Sequence, residues 1–289
     1  LPNQPAPHTV PLPRGGGSVM GGALIFLAGG AVGGVTLGAL GVGTALIAVP
    51  LLTLVLPWLG VPADAAPLTA LATSMAVVAV TSVSSVLSHH RLGNVLWPVF
   101  RVTIVASVTG VVVGAAVATH LPAAALRLVV GVFLLFTAWR MLIGGAGEVS
   151  PSVAVGPSSG AESANAYRLG GALIGLAGSF IGAGGGVLMV PFLSGRGHPM
   201  TRAVATSTAI GLPVTVAGAL LYTALGLRDG VDLPGQIGYL HLPALLEIGV
   251  ASALTAPLGA KLSARLPGPL LKRIFALLLI PLALKIAVG

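Results

Sequence analysis

Gly182-Ala183-Gly184-Gly185-Gly186-Val187-Leu188-Met189-Val190-Pro191 has a twin 141 positions earlier, Gly41-Val42-Gly43-Thr44-Ala45-Leu46-Ile47-Ala48-Val49-Pro50. Each copy sets glycines inside a strongly apolar run and a proline a few residues later. An interior glycine costs a helix about 1 kcal/mol against alanine and an interior proline about 3, so neither stretch is expected to be crossed by an undisturbed helix. Backbone N–H and C=O groups are expected to be released from helical pairing there. A bilayer tolerates this only where the backbone is buried in protein or lines a wet cavity.

The membrane in that argument follows from composition. Of 289 residues, 55% are hydrophobic and only 7% charged, with a mean hydropathy of +1.03, whereas soluble domains are about 25% charged. The fold class expected is an all-α polytopic membrane protein. A β-barrel is excluded because its strands would alternate apolar and polar residues, and these runs are apolar all round. Glycine is abundant (42 residues), and Gly30, Gly34 and Gly38 share one helix face, as close helix packing requires. The net charge of +8 would suggest nucleic acid in a soluble domain, but here the basic residues sit between apolar runs and read as orientation signals. With no cysteine there is no disulfide framework or thiolate metal site. Residues 1–18, rich in proline and glycine, read as a disordered tail.

The first repeat is expected over 19–143, a flexible linker over 144–166 and the second repeat over 167–289. Apolar runs fall at 19–40, 44–59, 67–87, 97–119 and 122–143, then at 169–181, 187–193, 203–227, 242–260 and 269–288. Ala72-Thr73-Ser74 answers to Ala205-Thr206-Ser207, and Gly93, Pro98, Gly114 and Pro122 answer to Gly238, Pro243, Gly259 and Pro267, the latter four at a step of 145. The run 187–193 is too short to cross a hydrocarbon core about 30 Å thick. Each broken element is therefore either one interrupted span, giving four crossings per half and parallel repeats, or a hairpin, giving five segments per half and inverted repeats. Placing the linker in the cytoplasm in the five-segment reading puts 10 of the 14 Lys and Arg residues inside, against 7 in the four-segment reading with the linker outside. The positive-inside rule thus favours inverted repeats with both termini outside.

Two glycine breaks facing one another would present helix N-termini, each worth roughly half a positive charge, to one point near the midplane. This backbone site for an anion is expected at Gly41, Gly43, Thr44, Gly182, Gly184, Gly185 and Gly186; tight packing alone does not account for four glycines in five residues. Thr73, Ser74, Thr206 and Ser207 are candidate supporting donors, although a hydroxyl in an apolar helix often bonds back to its own i−4 carbonyl. Arg101 and Glu247 lie at nearly matching depths in the two halves as candidate charge sites, or they snorkel to the headgroups. His89 and His90 end a span without the company of a metal set. The chain has no third glycine of a nucleotide loop, no HExxH, no serine elbow and no carboxylate pair, so it is not expected to be an enzyme or to need a cofactor.

The two glycine-rich breaks followed by Val-Pro, the two Ala-Thr-Ser segments, the loop His90-Arg91-Leu92-Gly93-Asn94-Val95 before a Pro-started helix, and Leu-Pro at 121–122 and 266–267 resemble the TauE/SafE family of sulfite and organosulfonate exporters. The resemblance covers 19–289. It implies a multi-pass permease of the bacterial inner membrane that moves small sulfur anions such as sulfite or sulfoacetate outward. Its partners would be that anion and the bilayer, with no nucleic acid, and a homodimer is one assembly open to it. Gly43-Thr44-Ala45 departs from the triple glycine of the second copy, which leaves room for a Thr44 hydroxyl donor. An anion leaving a negative interior gains about 2.3 kcal/mol per charge per 100 mV, and Glu247 is the one carboxylate placed in a span. Potential-driven uniport with Glu247 dispensable is therefore expected.

Overall fold

In the computed structural model of the chain, which describes residues 16–40, 44–143, 160–263 and 268–288, the fold is helical apart from one short β hairpin. The first half contains α1 (Gly16–Leu40), α2 (Ala45–Val55) with a 3-10 turn at Leu56–Leu59, α3 (Ala66–Arg91), α4 (Trp97–Ala118) and α5 (Ala123–Ile143). The second contains α6 (Gly160–Ile181), α7 (Gly186–Ser194), α8 (Met200–Arg228), a small hairpin of β1 (Gln236–Ile237) and β2 (Leu240–His241), α9 (Leu242–Ser263) and α10 (Gly268–Val288). Six of these, α1, α3, α4, α5, α8 and α9, contain stretches long and apolar enough to cross a bilayer. The expected all-α membrane fold is the one observed. α6 begins at Gly160, within the stretch read as linker, because Ala161-Glu162-Ser163-Ala164 are residues a helix readily accepts.

Both broken elements are hairpins. Gly33 lies against Thr44, Gly29 against Leu51 and Gly22 against Leu59, so α2 runs back along α1. Gly178 lies against Gly185 and Gly170 against Phe192, so α7 likewise runs back along α6. At the second break the turn is made by the glycines and not by the proline. Pro50 and Pro191, expected to contribute, ride inside α2 and α7 as the sixth residue of each helix. A proline so close to a helix start removes one N–H and leaves a single carbonyl unpaired, which a return helix of 11 or 9 residues survives.

Close packing fixes the surrounding frame. α1 runs parallel to α9: Gly30 abuts the Ile248 backbone, Gly34 abuts Ser252, and Gly259 abuts the Val35 carbonyl. α4 runs parallel to α6: Gly171 abuts Thr103, Gly175 abuts Ser107, and Gly114 abuts the Leu176 carbonyl. A methyl group at any of these glycines would strike backbone or a neighbouring side chain, which is why small residues line the contacts. The two sets are the same set: steps of 141 along α1 and 145 along α9 carry each contact of the first pair onto one of the second. α3 and α8 pack together at the centre and are the most enclosed of the spans, with 56% and 44% of their apolar windows buried against 28–33% for the others. One apolar core joins α2, α3, α7 and α8 to α4, α5 and α10. On the periphery, Val105, Leu220, Leu246 and Leu254 are more than 60% exposed, an apolar outer face suited to lipid rather than water.

Candidate functional site

The start of α2 meets the turn of the second hairpin. Ala45, the first residue of α2, is buried with Ile181 and Ala183 from the second turn and with Val78 of α3. The second turn is built by glycines at positive φ: Gly182 at 69°, Gly184 at 57° and Gly185 at 77°, a run that side-chain-bearing residues would enter only under strain. A Cβ at Gly182 would also strike Val49 of the first hairpin, and one at Gly184 would strike Thr215 of α8. Gly186 then opens α7, just as Thr44 precedes α2. Gly41 and Gly43 lie outside the described residues. The N-terminal ends of α2 and α7 therefore converge on one buried apolar cluster, and neither helix carries an acidic residue in its first turn.

Hydroxyls hold these tips. Ser74 of α3 donates to the Gly182 carbonyl at 3.1 Å, and Ser207 of α8 donates to the Gly186 carbonyl at 2.9 Å, so both central helices grip the second hairpin. Thr44 Oγ1 lies 3.2 Å from Ser252 Oγ of α9. Thr73 and Thr206 act as acceptors. Thr73 Oγ1 takes the N–H of His241 at 3.0 Å, and Thr206 Oγ1 takes the N–H of Leu96 at 2.9 Å. Each of these N–H groups stands immediately before a helix, α9 or α4, and each threonine is fully buried. Every one of these bonds except Ser207 to Gly186 joins one half of the chain to the other. Each threonine keeps a hydroxyl proton with no acceptor among the described residues, so the pair both clips the halves together and retains donor capacity.

The two charge candidates stand apart from the tips. Arg101 is exposed on the second turn of α4. Glu247 is half-buried in α9, with Oε2 shielded and without a hydrogen-bond partner among the described residues. Several contributors escaped the sequence reading. His241 Nδ1 accepts the N–H of Ala244 at 3.1 Å and so caps α9. Thr255 donates to the Ala31 carbonyl at 2.9 Å across the α1 and α9 contact, and Ser107 and Ser252 sit at matching places in the two glycine-packed pairs. The step of 145 that links Ser107 to Ser252 was the signal available for these last two. None was available for His241, whose role depends on the fold of the β hairpin.

A "Probable membrane transporter protein" of Haemophilus influenzae is 31% identical over 261 residues, covering 90% of this chain and 96% of that one. A "Probable membrane transporter protein" of Methanocaldococcus jannaschii is 27% identical over 246 residues, covering 84% and 86%. No solved structure matches the chain. The sequence model of the family described as Sulfite exporter TauE/SafE matches residues 25–286, so the duplicated glycine hairpins and the frame that holds them are those of a membrane transporter belonging to the TauE/SafE family.

Proposed function

We propose that this transporter exports small sulfur-containing anions, with sulfite and sulfoacetate as the class, through a site at the meeting hairpin tips. The observation that carries the reading is the convergence of two helix N-termini on one buried apolar cluster, with hydroxyl bonds beside it and no acidic residue in the first turn of either helix. Helix dipoles there favour an anion without a fixed basic side chain, so the anion can also leave. Thr73 and Thr206 supply further donors from the central helices, and Thr44 makes the first tip differ from the second.

The same reading sets the two halves in opposite orientation. α2 reverses α1, α3 reverses α2, and the five-residue connection 92–96 between two spanning helices returns the chain again. α4 then opposes α1, and α6, parallel to α4, opposes α1 as well. This supports inverted repeats, with the Arg-rich ends in the cytoplasm of a bacterial inner membrane and both termini outside.

Export by uniport needs only the potential: 100 mV is worth about 2.3 kcal/mol for a single charge, about a 50-fold gradient. Proteoliposomes loaded with sulfite or sulfoacetate should lose it faster when the interior is made negative, with or without a pH gradient, and Glu247→Gln should leave this efflux intact. The unpartnered Glu247 Oε2 favours one second reading, a proton-coupled permease. Efflux that followed the pH gradient and vanished in Glu247→Gln would replace uniport with it. Absence of any anion flux would favour a membrane assembly factor whose glycines only pack.

A further inference from the structure

A cavity of about 630 Å³ lies among α1, α3, α8 and α9, and it is not part of the tip cluster. Thr81, Ser85 and His89 line it from α3 at intervals of four residues, which makes them one polar stripe on a helix. Thr208 of α8 and Ala256 of α9 line it from across the gap. Among the described residues, no acidic side chain contributes to the wall. The stripe begins at Thr81, within one turn of Val78, which is buried against both hairpin tips, and ends at His89 near the C-terminus of α3. Thr81 bonds back to the Val77 carbonyl, whereas Ser85 makes no bond to another described residue and His89 Nδ1 is shielded without a partner. Ser85 and His89 thus line, four residues apart, a space whose polar stripe starts one turn from the residue that packs on the tips, with no acidic side chain among its described lining.

The second half has the same places and fills them. The step of 133 that takes Thr73 and Ser74 to Thr206 and Ser207 takes Ser85 to Gly218 and His89 to Tyr222, and takes Met75 to Thr208. The step of 145 takes Val111 to Ala256. Where the first half has a gap between Ser85, Thr208 and Ala256, the second has Gly218 packed directly on Met75 and Val111. Tyr222 is fully buried beside them, and its hydroxyl donates to the Ser179 carbonyl of α6 at 3.1 Å.

We propose that this cavity is the vestibule by which the anion passes between one membrane face and the tips, with Ser85 and His89 binding its oxygens. The packed contact of Gly218, Met75 and Val111 is the matching passage of the opposite face, shut and latched by Tyr222. The inference rests on the anion-transport reading and on opposed halves, for in an inverted pair equivalent passages open to opposite sides. Its ligand class is an oxyanion small enough for hydroxyl and imidazole donors. Transport then requires the two passages to exchange states.

The chain lacks cysteine, so single cysteines report on the passages in the full-length protein reconstituted in liposomes. The membrane-impermeant thiol reagent 2-sulfonatoethyl methanethiosulfonate should modify Ser85→Cys and Thr208→Cys from one face only, and sulfoacetate at saturating concentration should slow the reaction at both positions at least fivefold. Lipid-facing Val105→Cys should show no such protection. In otherwise native protein, His89→Ala should weaken sulfoacetate binding about tenfold, the effect of losing one hydrogen bond to a charged group, and Tyr222→Phe should raise labelling of a cysteine placed at Val214. An unreactive Ser85→Cys, as in a lipid-filled groove, or labelling unaffected by sulfoacetate, would overturn the vestibule even if the native protein transports the anion. Protection without any flux through the native protein would instead keep the binding site and overturn the transport reading.

Discussion

At the scale of single residues, the second hairpin turn depends on glycine for two separate reasons, backbone sign and space. Gly184 has φ of 57° and faces Thr215 and the Gly211 carbonyl. Gly184→Ala should therefore cost at least about 1–2 kcal/mol, seen as a lower melting temperature in detergent, and should reduce anion flux further by displacing the start of α7. Thr206 acts through its acceptor oxygen. Thr206→Val should cost about 1 kcal/mol and fray the start of α4, whereas Thr206→Ser should be nearly neutral, and hydrogen exchange at Leu96 and Trp97 would report the difference. The sequence singled out these glycines and hydroxyls by duplication. It did not reveal that Thr73 and Thr206 accept backbone N–H groups from the opposite half, because their partners lie 168 and 110 positions away in the chain.

Among elements, the parallel pairs α1 with α9 and α4 with α6 tolerate no added volume at their glycines. Gly34→Val and its counterpart Gly175→Val should each abolish the folded, monodisperse protein, since each new side chain would meet the backbone of the facing helix. Gly249→Ala, on α9 with open space at its Cβ position, should instead stabilise by up to about 1 kcal/mol, and thermal melts of the three variants separate the cases. The end of the second hairpin carries a pH response. His198 Nε2 lies 2.7 Å from the Tyr167 hydroxyl, and the Arg196 guanidinium stacks 3.7 Å from the Phe192 ring. Burial, and after it Arg196 and Arg202, holds the His198 pKa below the ordinary value near 6.5. As pH falls the unfolded chain takes up this proton first, so the folded state loses stability below about pH 6.5. Melting temperature should therefore drop more steeply between pH 7 and 5 for the native protein than for His198→Gln.

For the whole molecule, orientation is the open consequence of the proposal that the halves are opposed. Lys261→Cys at the end of α9 should react with an impermeant thiol reagent only from the cytoplasmic side, and a tag at either terminus only from the outside; the reverse pattern would invert the assignment. Apolar composition, run length and the paired glycine clusters determined by sequence alone that this is a helical membrane protein with two interrupted elements. Each of those signals is local, arising from hydropathy over about 20 residues or from the helix-breaking cost of glycine. Whether the interrupted elements cross or return was not local. It depends on whether α2 and α7 pack against α1 and α6, and only the tertiary structure decided for hairpins, through contacts such as Gly29 with Leu51 and Gly170 with Phe192. The prolines were misread for the same reason, since their cost depends on their distance from a helix start that tertiary packing sets. The cavity beside α3 was beyond the sequence altogether: Ser85 and Gly218 occupy equivalent places in the chain, and only the packing of Gly218 on Met75 and Val111 leaves one passage filled and the other open.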